Sequence, residues 1–129
     1  MAITQAICNS FKKEVLFGAH DFDASSGDTF KLALFTSDAS LSSTTTAFSS
    51  SNESSGTNYS SGGSSLTSID PALSSTTAVC DFSNLTFSNV SVTARGALIY
   101  NSTPNTTSIS LTNPAVCVLD FGGDITATA

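Results

Sequence analysis

Positive charge is scarce in this chain: Lys12, Lys13, Lys31 and Arg95 stand against ten acidic residues, for a formal net charge of −6 over 129 residues. Phosphate backbones are held by several Lys and Arg acting together, so the balance argues against a nucleic-acid partner, and an acidic surface is disfavoured at anionic membranes. Charge of either sign is low, at 11% of residues, against about 25% in ordinary globular chains. Chemistry on protons, phosphates or metals needs clustered ionisable groups, and few are present to cluster. Tryptophan is absent and His20 is the single histidine. A lone His without a matched Cys, Asp or second His reads as structural or solvent-exposed. Nothing resembles a nucleophile elbow, and Gly62-Gly63 is followed by neither a Lys nor a helix start, as a phosphate loop requires. The expectation is a chain that is not an enzyme and takes no cofactor.

Long apolar runs are missing too; none approaches the ~20 residues of a membrane helix. Lys12-Lys13-Glu14 interrupts the hydrophobic stretch near the N-terminus, which reads as no secretory signal and therefore synthesis in a cytoplasm. Cysteine is limited to Cys8, Cys80 and Cys117. An odd count without CxxC spacing excludes a disulfide framework or a zinc ribbon, and apolar neighbours make all three read as buried free thiols. Six Asn-x-Ser/Thr triplets occur, at Asn52, Asn58, Asn84, Asn89, Asn101 and Asn105. In a chain so rich in hydroxyl residues they read as chance matches.

What replaces the charge is serine and threonine, about a third of the sequence. The 40% hydrophobic content is enough for a folded chain, and the length fits one domain spanning 1–129. Ile3, Ile7, Phe11 and Val15 recur every four residues, with Cys8 and Leu16 widening the stripe. This predicts a helix over about 3–17, capped by Thr4 and ended by Gly18. A turn follows at 25–28, then a strand over 29–36 with Phe30, Leu32 and Leu34 on one face. Residues 37–65 are a long polar excursion anchored by Phe48 and Tyr59. Further strands are expected over 66–72, ended by Asp70-Pro71, over 78–87, over 89–101, and over 115–121, ended by Gly122-Gly123. In the third of these, Val90, Val92, Ala94, Leu98 and Tyr100 are expected on one face, with an irregularity at Arg95-Gly96. Short strands separated by hydroxyl-rich turns, with a single helical pattern, predict a mainly β fold: an antiparallel β-sandwich or barrel-like domain with one N-terminal α-helix.

Asp21, Asp23 and Asp28 form the densest acidic patch. Their spacing has some likeness to calcium loops, but the full loop pattern and the closing bidentate Glu are missing, and an exposed acidic turn is the ordinary account.

Four stretches carry a resemblance: Met1-Ala2-Ile3-Thr4-Gln5-Ala6-Ile7-Cys8-Asn9-Ser10-Phe11-Lys12, Gly27-Asp28-Thr29-Phe30-Lys31-Leu32-Ala33-Leu34-Phe35-Thr36, Thr93-Ala94-Arg95-Gly96-Ala97-Leu98-Ile99-Tyr100-Asn101 and Val118-Leu119-Asp120-Phe121-Gly122. Together the chain resembles a family of small virion structural proteins of tailed bacteriophages, of the capsid cement or decoration kind. In that family another apolar strand follows the last stretch, whereas this sequence ends at Ala129. The resemblance implies a virion location and a homo-oligomer, expected as a trimer, clamping major capsid protein subunits. It carries no catalytic motif to transfer. A tail or neck adaptor or fibre module is the alternative, and a surface glycan- or receptor-binding module a further one. The stripe Ile3, Ile7, Phe11 and Val15 is the first expected assembly surface, with an internal core face as the competing account. The 37–65 excursion is the second.

Overall fold

A computed structural model describes residues 2–129. In chain order the elements are β1 (Ala6–Ile7), α1 (Asn9–Leu16), β2 (Phe30–Phe35), β3 (Ser64–Ser65), β4 (Ser68–Ser74), β5 (Thr77–Phe82), β6 (Val92–Asn101) and β7 (Ala115–Ala127). The fold is mainly β, with antiparallel sheets and one short helix near the front, as the sequence predicts. The main sheet has the order β1-β7-β6-β2-β3, and β4 and β5 form a separate hairpin. Among the described residues no helix is long and apolar enough to cross a membrane.

The centre is the ladder of β2, β6 and β7. Ala33 lies opposite Leu98 and Leu98 opposite Val118, while Leu32 lies opposite Ile99 and Ile99 opposite Cys117. Successive side chains point to opposite faces, and both faces are covered. On one face Ala33, Phe35, Leu98, Tyr100 and Val118 pack with Ile3, Cys8, Ala39, Leu41 and Phe48. On the other, Phe30, Ile99 and Val116 pack with Phe22, Leu66 and Phe82, and Leu34 and Ala97 pack with Tyr59, Phe87 and Val90. The break in alternation at Phe35 therefore reports a sheet buried on both sides.

The helix is shorter than the stripe suggests. Residues before Cys8 are extended: Ile3 bridges Leu41 in parallel, and Ala6 and Ile7 pair with Val118 and Cys117. Pairing with the free edge of β7 satisfies backbone groups that a longer helix would leave exposed on that edge, and Ile and Thr suit an extended chain. Cys8, not Thr4, is the N-cap residue, and it makes no side-chain capping bond. The C-terminal end is as expected. Gly18 has φ +72°, its N–H donates to Val15 O at 3.0 Å, and Ala19 N–H donates to Glu14 O at 3.1 Å. These two bonds make a Schellman end, which needs the left-handed residue that glycine supplies most easily.

Several strand boundaries and one face assignment differ from the sequence reading, β6 among them, which begins at Val92 and not at 89. β4 continues through Pro71 to Ser74, because the register shift between Ile69 and Ala72 lets the ladder skip the residue that has no N–H. β5 stops at Phe82 instead of reaching Phe87. β7 does not stop at the glycines: Ala94 pairs with Ile125 and Gly96 with Asp120, so residues 121–124 loop out opposite Arg95 and the strand resumes. The same irregularity turns β6 over. Val92 and Ala94 join the cluster of Leu34 and Ala97, whereas Leu98 and Tyr100 face the other side.

The polar excursion is pinned rather than loose. Phe48 stacks on Tyr100 with ring centroids 4.6 Å apart, and isolated bridges join Ala47 to Pro114 and Thr57 to Ser91. Asn52, Asn58 and Asn89 take positive φ of 62°, 62° and 55°. Asparagine tolerates that region better than other side chains, so these triplet asparagines have a backbone role.

Candidate assembly surface

Most of the polar chemistry at the helix end of the molecule is spent internally. Beyond the Schellman turn the chain buries Ala19 and brings His20 under the helix. His20 Nε2 lies 2.8 Å from Glu14 Oε1, and both side chains are almost wholly buried. Asn101 Nδ2 lies 3.0 Å from His20 Nδ1 and donates to Asp28 Oδ2 at 2.8 Å, while Asn101 Oδ1 accepts the Thr103 N–H at 2.9 Å. With the amide so oriented, Nδ1 accepts and Nε2–H donates to Glu14, which selects one tautomer. Phe11 and Phe30 flank the imidazole at centroid distances of 4.8 and 6.2 Å. The ring is a structural tie between α1 and the end of β6, closed on every polar atom.

The acidic patch is a self-satisfied turn. Asp23 Oδ1 accepts the backbone N–H groups of Ser25 and Ser26, each at 2.7 Å, and both serine hydroxyls. These bonds favour the carboxylate and hold the Asp23 pKa below its ordinary value. Asp21 Oδ1 accepts Asp23 N–H, Asp28 Oδ2 accepts Asp21 N–H, and Asp70 Oδ1 accepts Ala24 N–H. The carboxylates are aimed at backbone donors instead of converging on a point. Among the described residues no group of three or more His, Cys, Asp or Glu is placed to hold a metal ion.

The β4–β5 hairpin is the opposite case. Its base is anchored where Phe82 meets Phe30 and Phe22 at centroid distances of 5.7 and 6.2 Å. Beyond that, every residue over 69–81 is exposed, including Ile69, Leu73 and Val79, with Leu73 at 74%. An uncovered two-stranded ribbon is marginal in water, and this one has apolar side chains and nothing of its own chain to lay them on. Cys80 is exposed on it, contrary to the expectation of three buried thiols, while Cys8 is buried and Cys117 half-buried. The apolar neighbours of Cys80 mark a strand, but a strand without a second layer buries neither face. Asp70 and Pro71 form one wall of an open cleft of about 590 Å³ whose other walls include Gly18, His20 and Asp21. A smaller apolar groove of about 320 Å³ lies at the far end of the sheet, lined by residues that include Phe87, Val90, Phe121 and Ile125.

The four residues of the expected helical stripe do not share a face. Ile3 is buried against the sheet, where its Cγ2 would stand 2.9 Å from a Cβ placed on Gly96. Phe11 packs inward between His20 and Phe22. Ile7 is half-exposed on β1 and Val15 half-exposed on α1. The exposed apolar group at the front is Val15, Leu16 and Phe17, with Leu16 at 89%. Sequence reasoning placed Leu16 on the helix and expected both strands of the hairpin, but not that they stand apart from the main sheet. The available signal was two short apolar strands joined by only Ser75-Thr76, close enough in sequence to pair with each other.

Comparison with family models, with curated proteins and with solved structures gave no match to this chain.

Proposed function

We propose that this chain is a structural subunit of a tailed-bacteriophage particle, a capsid cement or decoration protein that clamps major capsid subunits as a homo-oligomer. The observation that carries the reading is the β4–β5 hairpin, an arm whose apolar side chains are exposed along residues 69–81. A rigid two-faced sheet that holds an uncovered arm outward is suited to bridging neighbours, and repetition over a shell multiplies a modest contact into large total stabilisation. The resemblance of four stretches of the sequence to small virion proteins supports the same reading. So does the internal use of the polar groups near the cleft, which leaves His20 and the acidic turn committed to the fold.

Copy number in purified particles tests it. Hundreds of copies are expected for a cement protein. A count of three, six or twelve moves the chain to the tail or neck, and absence from particles removes the reading altogether.

A further inference from the structure

Two exposed apolar patches of opposite charge character stand at the same end of the molecule. The first is the end of α1. Lys12 and Lys13 lie one helical turn before Leu16 and Phe17, so spacings of three and four residues place them beside those side chains. Among the described residues neither lysine has a carboxylate within ion-pair distance, whereas Arg95 is joined to Asp124 at 2.9 Å. The second patch is one face of the hairpin, where Ile69 and Val79 lie with Asp81 and with no cation, while Leu73, opposite Ala78, points to the other face. Asp81 lies directly opposite Ile69 in the ribbon. The patches flank one cleft, with Gly18 and Asp70 both among its lining residues, yet they do not cover each other.

Charge decides the occupant. Copies with a net charge of −6 repel over most approaches, and the paired lysines of α1 are the concentrated positive feature of the surface. The hairpin offers the complement, apolar side chains bordered by a carboxylate. We infer that the β4–β5 hairpin of one copy docks on the Lys12 to Phe17 end of α1 in a second copy of this chain. Ile69 and Val79, on the face of the arm that also carries Asp81, cover Leu16 and Phe17, and Asp81 faces Lys12 and Lys13. The two patches are unlike, so every copy both gives and receives a contact, and the assembly closes into a ring where the rotation permits. The inference deepens the particle-subunit reading by naming the contact between its copies.

The test uses the full chain with Leu16→Ser and Val79→Ser, both at exposed positions, so that circular dichroism and the urea midpoint stay at wild-type values. By sedimentation velocity the wild type associates, and each variant alone associates about tenfold or more weakly, the loss expected for one buried aliphatic side chain. Mixed together, the two variants recover association as a pair in equal proportion, because one still has a sound helix end and the other a sound hairpin. A second pair checks the charges: Lys12→Glu with Lys13→Glu weakens association, and Asp81→Lys in the partner copy restores it. The inference is overturned by a wild type that stays monomeric, by variants that associate like wild type, or by a mixture no better than its components. Particle incorporation is scored separately. A monomeric chain found in particles overturns this contact and leaves the particle reading intact, whereas a ring absent from particles supports the contact and removes that reading.

Discussion

The phenol oxygen of Tyr59 accepts a hydrogen bond from the backbone N–H of Leu34 at 2.8 Å. The same hydroxyl donates to Glu53 Oε2 at 2.8 Å, and Ser54 N–H donates to Leu34 O at 2.8 Å. β3 covers the outer edge of β2 only at Lys31 and Leu32, so the polar excursion supplies what a longer neighbouring strand would have supplied. Tyr59→Phe keeps the ring but leaves the Leu34 N–H without its partner. Stability should fall by about 1–3 kcal/mol, read as a lower urea midpoint at unchanged slope.

Leu98 is wholly buried in the central strand, between Ala33 and Val118. Leu98→Ala should cost about 2–5 kcal/mol through lost transfer energy and the cavity left behind. Leu73→Ala on the hairpin removes the same atoms from a side chain already in water, and its unfolding midpoint should stay within error of wild type for the monomer. Equal losses at the two sites would contradict the exposure of the arm.

The three thiols should separate by reactivity. Burial pushes the Cys8 and Cys117 thiols up to about 11, helped by Glu14 at Cys8 and by Cys8 itself at Cys117. Cys80 is also raised, mainly by burial, but it is open to solvent. Alkylation of the native chain at mildly alkaline pH should give one adduct, mapped to Cys80 by peptide mass spectrometry, and three adducts after unfolding. The folded state holds the Cys8 and Cys117 protons more tightly than the unfolded state. Their contribution to stability is therefore complete below the ordinary thiol value of 9.0 and is lost as pH rises toward about 11. A urea midpoint that is flat across that window would refute the assignment.

At the acid end the sign reverses. Asp23 is held below its ordinary value by the Ser25 and Ser26 donors, so its contribution is present above that value and disappears as pH falls through the lowered one. Amide exchange at Ser25 and Ser26 should quicken as Asp23 protonates. Asp23→Ala should give the quickened rate already at neutral pH, with the rest of the sheet unchanged.

Much of the fold follows from local pattern. The alternation over 29–36, the run at 89–101 and the isolated helical stripe are enough for a mainly β chain with one helix, because side-chain periodicity reports directly which faces are buried. Gly18 marks the helix end for a reason internal to the backbone, the left-handed residue of a Schellman turn. The start of that helix was not legible. Ile3 and Ile7 fit a four-residue repeat, and only the open edge of β7 draws residues 6 and 7 into a strand. Nor was the extension of β7 legible, since Gly122-Gly123 reads as a stop unless a partner waits beyond it, and Val92 to Ala94 are that partner.

The candidate surface divides along the same line. Composition alone determined that positive charge is confined to a few positions, with Lys12 and Lys13 adjacent, and that charged residues of either sign are few. Which apolar residues stay in water was decided by tertiary structure. Ile3 and Leu73 are equally hydrophobic on paper, yet one lies under a sheet that needs covering and the other on a ribbon with no second layer. Burial is a property of what an element packs against, and for the β4–β5 hairpin the chain itself provides no aromatic layer beyond Phe22 and Phe30 at its base.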